Sequence, residues 1–123
     1  MKYVILIYGN PESRAIWDSL PTEQRARGLE DYARLNEDLA DSGELVVTEA
    51  LADHAQTKRL VLRDGQRTTT DGPFAEAKEL LAGFYLVDCE DIDRAVEIAW
   101  RVPEAQLGLV EVRPVMTLND FLL

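Results

Sequence analysis

Apolar side chains form two short unbroken runs in this chain, one at its start and one past its middle. The first covers six successive positions from Tyr3 to Tyr8 and ends at Gly9. The second covers four positions from Phe84 to Val87. A strand with one face in water alternates apolar and polar residues, so these runs predict strands covered on both faces.

Two segments have the period of a helix. Pro21 suits the first position of a helix that should run to Ser42 and end at Gly43. Asp91 can cap a second helix, and Pro103 follows its end. The predicted inner face of the first helix consists of Leu29, Tyr32, Ala33, Asn36, Leu39 and Ala40.

The remaining segments predict two more strands, at residues 44–51 and 108–113, and a hairpin. Residues 58–63 and 66–70 flank Asp64-Gly65, a favoured two-residue hairpin turn. With two right-handed crossovers, this order predicts an α+β fold, a ferredoxin-like βαββαβ sandwich with an inserted β-hairpin. We expect one domain over residues 1–123, with both helices on one face of an antiparallel sheet and an apolar tail docked on the core.

Asn36 is an unusual residue for the middle of an apolar helix face. A buried amide needs hydrogen-bond partners. Two interpretations stay open: Asn36 bonds a strand end or loop, or it faces a ligand.

The sequence Asp71-Gly72-Pro73-Phe74, called the corner below, joins the hairpin to the last apolar run. Asp, Gly and Pro all favour a sharp turn. In one interpretation the corner is a rigid loop that seats Phe74 in the core. In the other it is part of a site in which acids or a lysine contact a ligand, and the candidates are Asp71, Glu76, Lys78 and Glu79.

Charge and composition exclude several function classes. The formal net charge is −10, which argues against nucleic acid or an anionic membrane surface as a partner. With one Cys and one His, we expect no disulfide and no zinc site of the usual N/S type. Motifs for nucleotide cofactors are absent, so no cofactor is predicted. The first apolar run is too short to span a bilayer and has no cleavage site after it, which predicts a cytoplasmic protein.

The corner and the residues after it resemble the signature of the DGPF family, which is named for that tetrapeptide and is related to YCII proteins. The similarity continues over nearly the whole chain, in Ala-Glu-Ala-Lys-Glu, Leu-Leu-Ala-Gly-Phe-Tyr-Leu-Val, Glu49-Ala50-Leu51 and Glu111-Val112-Arg113-Pro114. The resemblance implies a ferredoxin-like fold of the dimeric α/β-barrel type. Many such proteins are encoded beside extracytoplasmic-function sigma factors, which implies a regulatory or stress-linked context.

YCII proteins carry a His on the first helix and an Asp before a Pro after the second, which are proposed to form an acid–base pair. The corresponding positions here are Tyr32 and Val102. The chain departs from the pattern at both positions, so the resemblance does not imply His–Asp chemistry for it.

We therefore predict a homodimer that binds an unknown small molecule. The expected pocket is apolar on its floor and acidic at its mouth, and its predicted ligand contacts are Tyr8, Tyr32, Asn36, Asp71, Glu76 and Lys78. The alternative is a cofactor-free enzyme that uses carboxylates and a tyrosine for acid–base chemistry, with Asp71, Glu76 and Tyr32 as its candidate catalytic residues. A pure interaction module is the third class.

Overall fold

A computed structural model describes residues 1–74 and 76–122 of the chain. The strands and helices in chain order are β1 (Lys2–Gly9), α1 (Pro11–Ser19), α2 (Thr22–Ser42), β2 (Leu45–Ala50), β3 (Lys58–Arg63), β4 (Gln66–Asp71), β5 (Leu80–Asp88), α3 (Ile92–Trp100) and β6 (Val110–Pro114). Short 3₁₀ turns lie at His54–Gln56, Pro103–Leu107 and Leu118–Leu122.

The main sheet has four strands in the order β2-β5-β1-β6, and every neighbouring pair is antiparallel. Each helical segment between strands returns the chain to a non-adjacent position in the sheet, as in a split β-α-β unit. The predicted α+β, ferredoxin-like arrangement is confirmed. The hairpin β3–β4 forms a separate two-stranded sheet.

The core lies between the sheet and helices α2 and α3. Alternate residues of β1 (Tyr3, Ile5 and Ile7) are buried against Leu35 of α2 and Ile98 of α3. The intervening side chains point to the other side of the sheet because strand side chains alternate. We call that side the open face. Its apolar members are Val4, Leu6, Val47, Phe84 and Leu86.

The sequence predicts that the apolar runs at β1 and β5 are covered on both faces. In the single chain only the helix-facing side is fully buried, and Leu6 and Leu86 on the open face are half-buried.

Helix α2 has a narrower buried face than its sequence predicts. Leu29 is 60% exposed, whereas Leu35 is fully buried. The face that meets the sheet consists of Tyr32, Leu35, Asn36 and Leu39. Gly43 ends the helix as predicted, with φ of 79° and its N–H bonded to carbonyls of the last turn.

The predicted hairpin turn is confirmed. Asp64 and Gly65 both have positive φ, 51° and 78°, as the type I′ turn requires.

The predicted docking of the tail is wrong, since Leu118 is 86% exposed and Leu122 is 83% exposed. The Asp120 carboxylate instead accepts a bond from the Thr117 N–H, so the tail closes on itself.

Candidate functional site

Two polar pairs lie on the inner side of α2, one helical turn apart. The Tyr32 hydroxyl donates to Oε2 of Glu104, in the 3₁₀ turn after α3. The Tyr85 hydroxyl on β5 donates to Oδ1 of Asn36. Residues four apart on a helix share a face, so Tyr32 and Asn36 bring both pairs to one side of α2.

Glu104 is the most unusual ionisable group of this region. Burial raises the pKa of its carboxyl above the usual range, because removal from water disfavours the charged form. Among the described residues its side chain meets the Tyr32 hydroxyl and no cation. Such a carboxyl can hold a proton for donation, or accept a hydrogen bond from a ligand that displaces the phenol.

Asn36 satisfies a buried phenol. Tyr85 is fully buried in the core, and burial raises the pKa of its hydroxyl. A buried hydroxyl without a partner would cost about 1–3 kcal/mol, and the amide oxygen of Asn36 supplies that partner. The structure thus gives Asn36 a partner within the protein. That partner lies in the middle of β5, not at the strand end or loop that the first interpretation named.

The corner holds the base of the hairpin. Asp71 pairs with Lys58 across the two strands, and the Gly72 N–H donates to the Thr57 carbonyl at 2.8 Å. Gly72 has φ of 87°, a left-handed conformation that favours glycine. Phe74 is 60% exposed, so the expectation that the corner seats it in the core is wrong. Its ring lies against Arg59, whose guanidinium carbon is 4.4 Å from the ring centre.

The other predicted contacts lie elsewhere. Tyr8 pairs with Leu81 at the end of β1, and strand alternation places it on the open face, opposite Ile7. Glu76 and Lys78 are exposed in the segment before β5. No hydrogen bond or ion pair among the described residues joins Tyr8 or the corner to Tyr32 or Asn36. The shared pocket of all six residues therefore stays a prediction.

Sequence reasoning missed Glu104. An acid in the first turn of a helix is common, so the local pattern gives it no special weight. One feature of the sequence could have indicated it. The YCII resemblance points to the residue before Pro103, which is Val102, and Glu104 directly follows that proline. The chain carries its acid two residues further on, and the turn brings it to Tyr32.

The described part of the chain has neither a cluster of metal ligands nor a membrane-spanning helix. Within residues 1–74 and 76–122, no three His, Cys, Asp or Glu side chains meet in a way that could hold a metal ion. In the same ranges no helix is both long enough and apolar enough to cross a membrane.

Comparison with known proteins identifies the family. The YCII-related domain matches residues 1–119 of this chain. A protein of Rhizobium meliloti (strain 1021), described as uncharacterised, is 32% identical over 116 residues, which is 93% of this chain and 91% of the relative. Since the family match spans almost every element of the fold, the chain belongs to the YCII-related family.

Proposed function

We propose that this YCII-related protein is a cytoplasmic homodimer that binds a small molecule and has a regulatory role. The Tyr32–Glu104 pair is the observation that carries the binding proposal. An acid whose pKa is raised by burial, and which is matched by a phenol rather than a cation, is typical of functional sites. The regulatory role is inferred from the resemblance to DGPF proteins encoded beside sigma factors.

The charge of the site selects the class of ligand. An anion beside Glu104 would be repelled by its ionised form, and no cation of the described residues pairs with this carboxyl to offset that repulsion. A neutral hydrogen-bond donor or an organic cation would instead replace the Tyr32 hydroxyl as the partner of Oε2. The proposed ligand is therefore neutral or cationic.

The homodimer is proposed to form on the open face. The central strands β1 and β5 supply its apolar residues, including Leu6, Phe84 and Leu86. The edge strands supply charges, among them Glu49 on β2 and Glu111 on β6. An apolar centre with a polar rim is the usual anatomy of a protein–protein interface.

A thermal-shift screen of small organic amines, neutral aromatic metabolites and organic acids tests the binding proposal. We expect one or more of the neutral or cationic compounds to raise the melting temperature. We expect Glu104→Gln to reduce that rise, most strongly for the amines, because the variant loses the negative charge. The amide still accepts a bond from Tyr32 but cannot ionise, so the fold should persist. Glu90→Gln makes the same chemical change on an exposed side chain and should keep the wild-type response. Stabilisation by acids alone, or an unchanged response in Glu104→Gln, would contradict the proposal.

A cofactor-free enzyme is the second candidate, and the Tyr32–Glu104 contact favours it. A raised carboxyl pKa brings an acid closer to neutrality, where a group can both take and release a proton. The distinguishing measurement is the amount of ligand consumed. A binding protein removes at most one equivalent of a compound from solution, whereas an enzyme converts many equivalents and loses that turnover in Glu104→Gln.

A further inference from the structure

One face of the β3–β4 hairpin carries positive charge although the chain as a whole has a formal net charge of −10. The cross-strand pairs on this face are Arg59 with Thr70, Val61 with Thr68, and Arg63 with Gln66. These six residues line a cavity of about 320 Å³, called the hairpin cleft below.

The acids of the hairpin lie outside this lining. Asp71 is paired with Lys58 on the opposite face of the hairpin, and Asp64 lies in the turn. Thr68 and Thr70 add hydroxyl groups to the cleft, and Val61 forms an apolar patch between the two arginines. The lining therefore combines two cations and hydroxyls with no carboxylate.

Arg59 is held in place but left without an acceptor. Its guanidinium lies over the Phe74 ring, an arrangement that stabilises a cation against an aromatic face. Its Nε is shielded from solvent and has no hydrogen-bond partner among the described residues. Because this nitrogen is shielded from water, an oxyanion entering the cleft would meet the terminal nitrogens of the guanidinium rather than Nε.

We propose that the hairpin cleft binds the oxyanion group, carboxylate or phosphate, of a small organic ligand. Arg59 donates through its terminal guanidinium nitrogens to the anion, Arg63 adds charge, and Val61 contacts the apolar part of the ligand. Phe74 is a positioning residue that fixes the guanidinium of Arg59, which gives the corner a role beyond turning the chain. This site is separate from the Tyr32–Glu104 pair and takes a ligand of the opposite charge.

Nuclear magnetic resonance of the arginine side chains tests the proposal directly. The probes are inorganic phosphate and sodium acetate, each titrated at constant ionic strength set with sodium chloride. We expect the Arg59 Nε–H resonance to shift in a saturable way with at least one probe, and the stronger probe identifies phosphate or carboxylate as the preferred group. No saturable shift with either probe would overturn the proposal.

Arg67 provides a matched control. It pairs with Leu62 and so lies on the other face of the same hairpin. Arg59→Gln and Arg67→Gln remove the same charge, but only Arg59→Gln should weaken binding, by about tenfold, the loss expected for a hydrogen bond to a charged group. For Arg59→Gln, binding is followed through the backbone amides of Thr68 and Thr70. Equal weakening in both variants would show a general charge effect and would also overturn the site.

Phe74 variants test the positioning role. Phe74→Leu keeps an apolar side chain but removes the aromatic ring, so binding should weaken while the melting temperature changes little. Phe74→Tyr keeps the ring and should restore the affinity. If Phe74→Leu binds as tightly as the wild type, the ring does not position Arg59.

Discussion

Gly83 marks a close approach between β2 and β5. A Cβ at this position would lie 2.9 Å from the Glu49 carbonyl oxygen, a backbone atom that cannot move freely. We expect Gly83→Ala to lower the free energy of unfolding by about 1–3 kcal/mol, the usual cost of overpacking. Urea unfolding measures this change.

Gly28→Ala is the control. Its added Cβ would meet the Trp17 ring at 3.4 Å, an ordinary contact, and alanine favours a helix over glycine by up to about 1 kcal/mol. A Gly83→Ala variant as stable as Gly28→Ala would contradict the close approach of β2 and β5 at Gly83.

The acid–base behaviour of Glu104 predicts a pH-dependent effect. Because burial raises the native pKa above the unfolded value, the native state holds this proton more tightly. The resulting stability is fully present below the unfolded pKa and is lost as pH rises through the native pKa. Glu104→Gln cannot ionise, so its melting temperature should rise relative to the wild type between acid and neutral pH. The same comparison with Glu90→Gln serves as the baseline. If the difference in melting temperature between Glu104→Gln and the wild type does not change with pH beyond that baseline, the Glu104 carboxyl is well solvated.

Single residues of the site were only partly predictable from the sequence. The interruption of an apolar stripe marked Asn36 as needing a partner, and Tyr85 is that partner. Phe74 was misjudged because turn chemistry describes the backbone and leaves the direction of the next side chain open. Glu104 was missed because its importance comes from burial by a distant helix, which leaves no local pattern.

At the scale of elements, an arginine of α3 clamps the connection between α2 and β2. Arg94 donates through Nε and a terminal nitrogen to the two oxygens of Glu44, at 2.9 and 2.8 Å. These bonds lower the pKa of the Glu44 carboxyl. Arg94→Lys keeps the charge but loses the two-point geometry, so we expect a loss of about 1 kcal/mol in the free energy of unfolding.

The control for this clamp is Arg101→Lys. Arg101 pairs with Asp38 through one bond at 2.6 Å on the surface, so its replacement should change stability very little.

The stability from Glu44 is present above its unfolded pKa and is lost as pH falls through its native pKa. The difference between wild type and Arg94→Lys should therefore shrink in acid. A gap that widens in acid would contradict the clamp.

Elements with strong local signals were predicted well. The Asp64-Gly65 turn, the Gly43 end of α2 and the ferredoxin-like arrangement follow from turn chemistry and crossover handedness. The inner face of α2 was placed too broadly, because periodicity gives the direction of an apolar stripe but tertiary packing sets its width. The prediction that the tail docks on the core was wrong for a related reason. Apolar composition shows that a segment can bury surface, but it does not show that the rest of the protein offers a surface for the segment to pack on.

At the scale of the whole molecule, the open face predicts the oligomeric state. Leu86 lies at its centre, paired with Val4 on one side and Val47 on the other. Light scattering of the wild type should give about twice the 13.9 kDa mass of the chain. Leu86→Lys places a charge in the proposed interface and should yield monomers. Leu29→Lys, on the exposed surface of α2, is the control and should leave the dimer intact. A monomeric wild type would contradict the proposed interface.

Ligand binding between α2 and the turn at Pro103–Leu107 can be tested by crystallisation of the protein with cell extract. We expect electron density for a neutral or cationic small molecule within hydrogen-bond distance of Glu104, with the Tyr32 hydroxyl turned toward the ligand or displaced by it. Crystals of Glu104→Gln grown in the same extract should show weaker density there, and none if the ligand is a cation. An intact Tyr32–Glu104 bond in every wild-type crystal, with trapped density elsewhere or nowhere, would contradict ligand binding at Glu104.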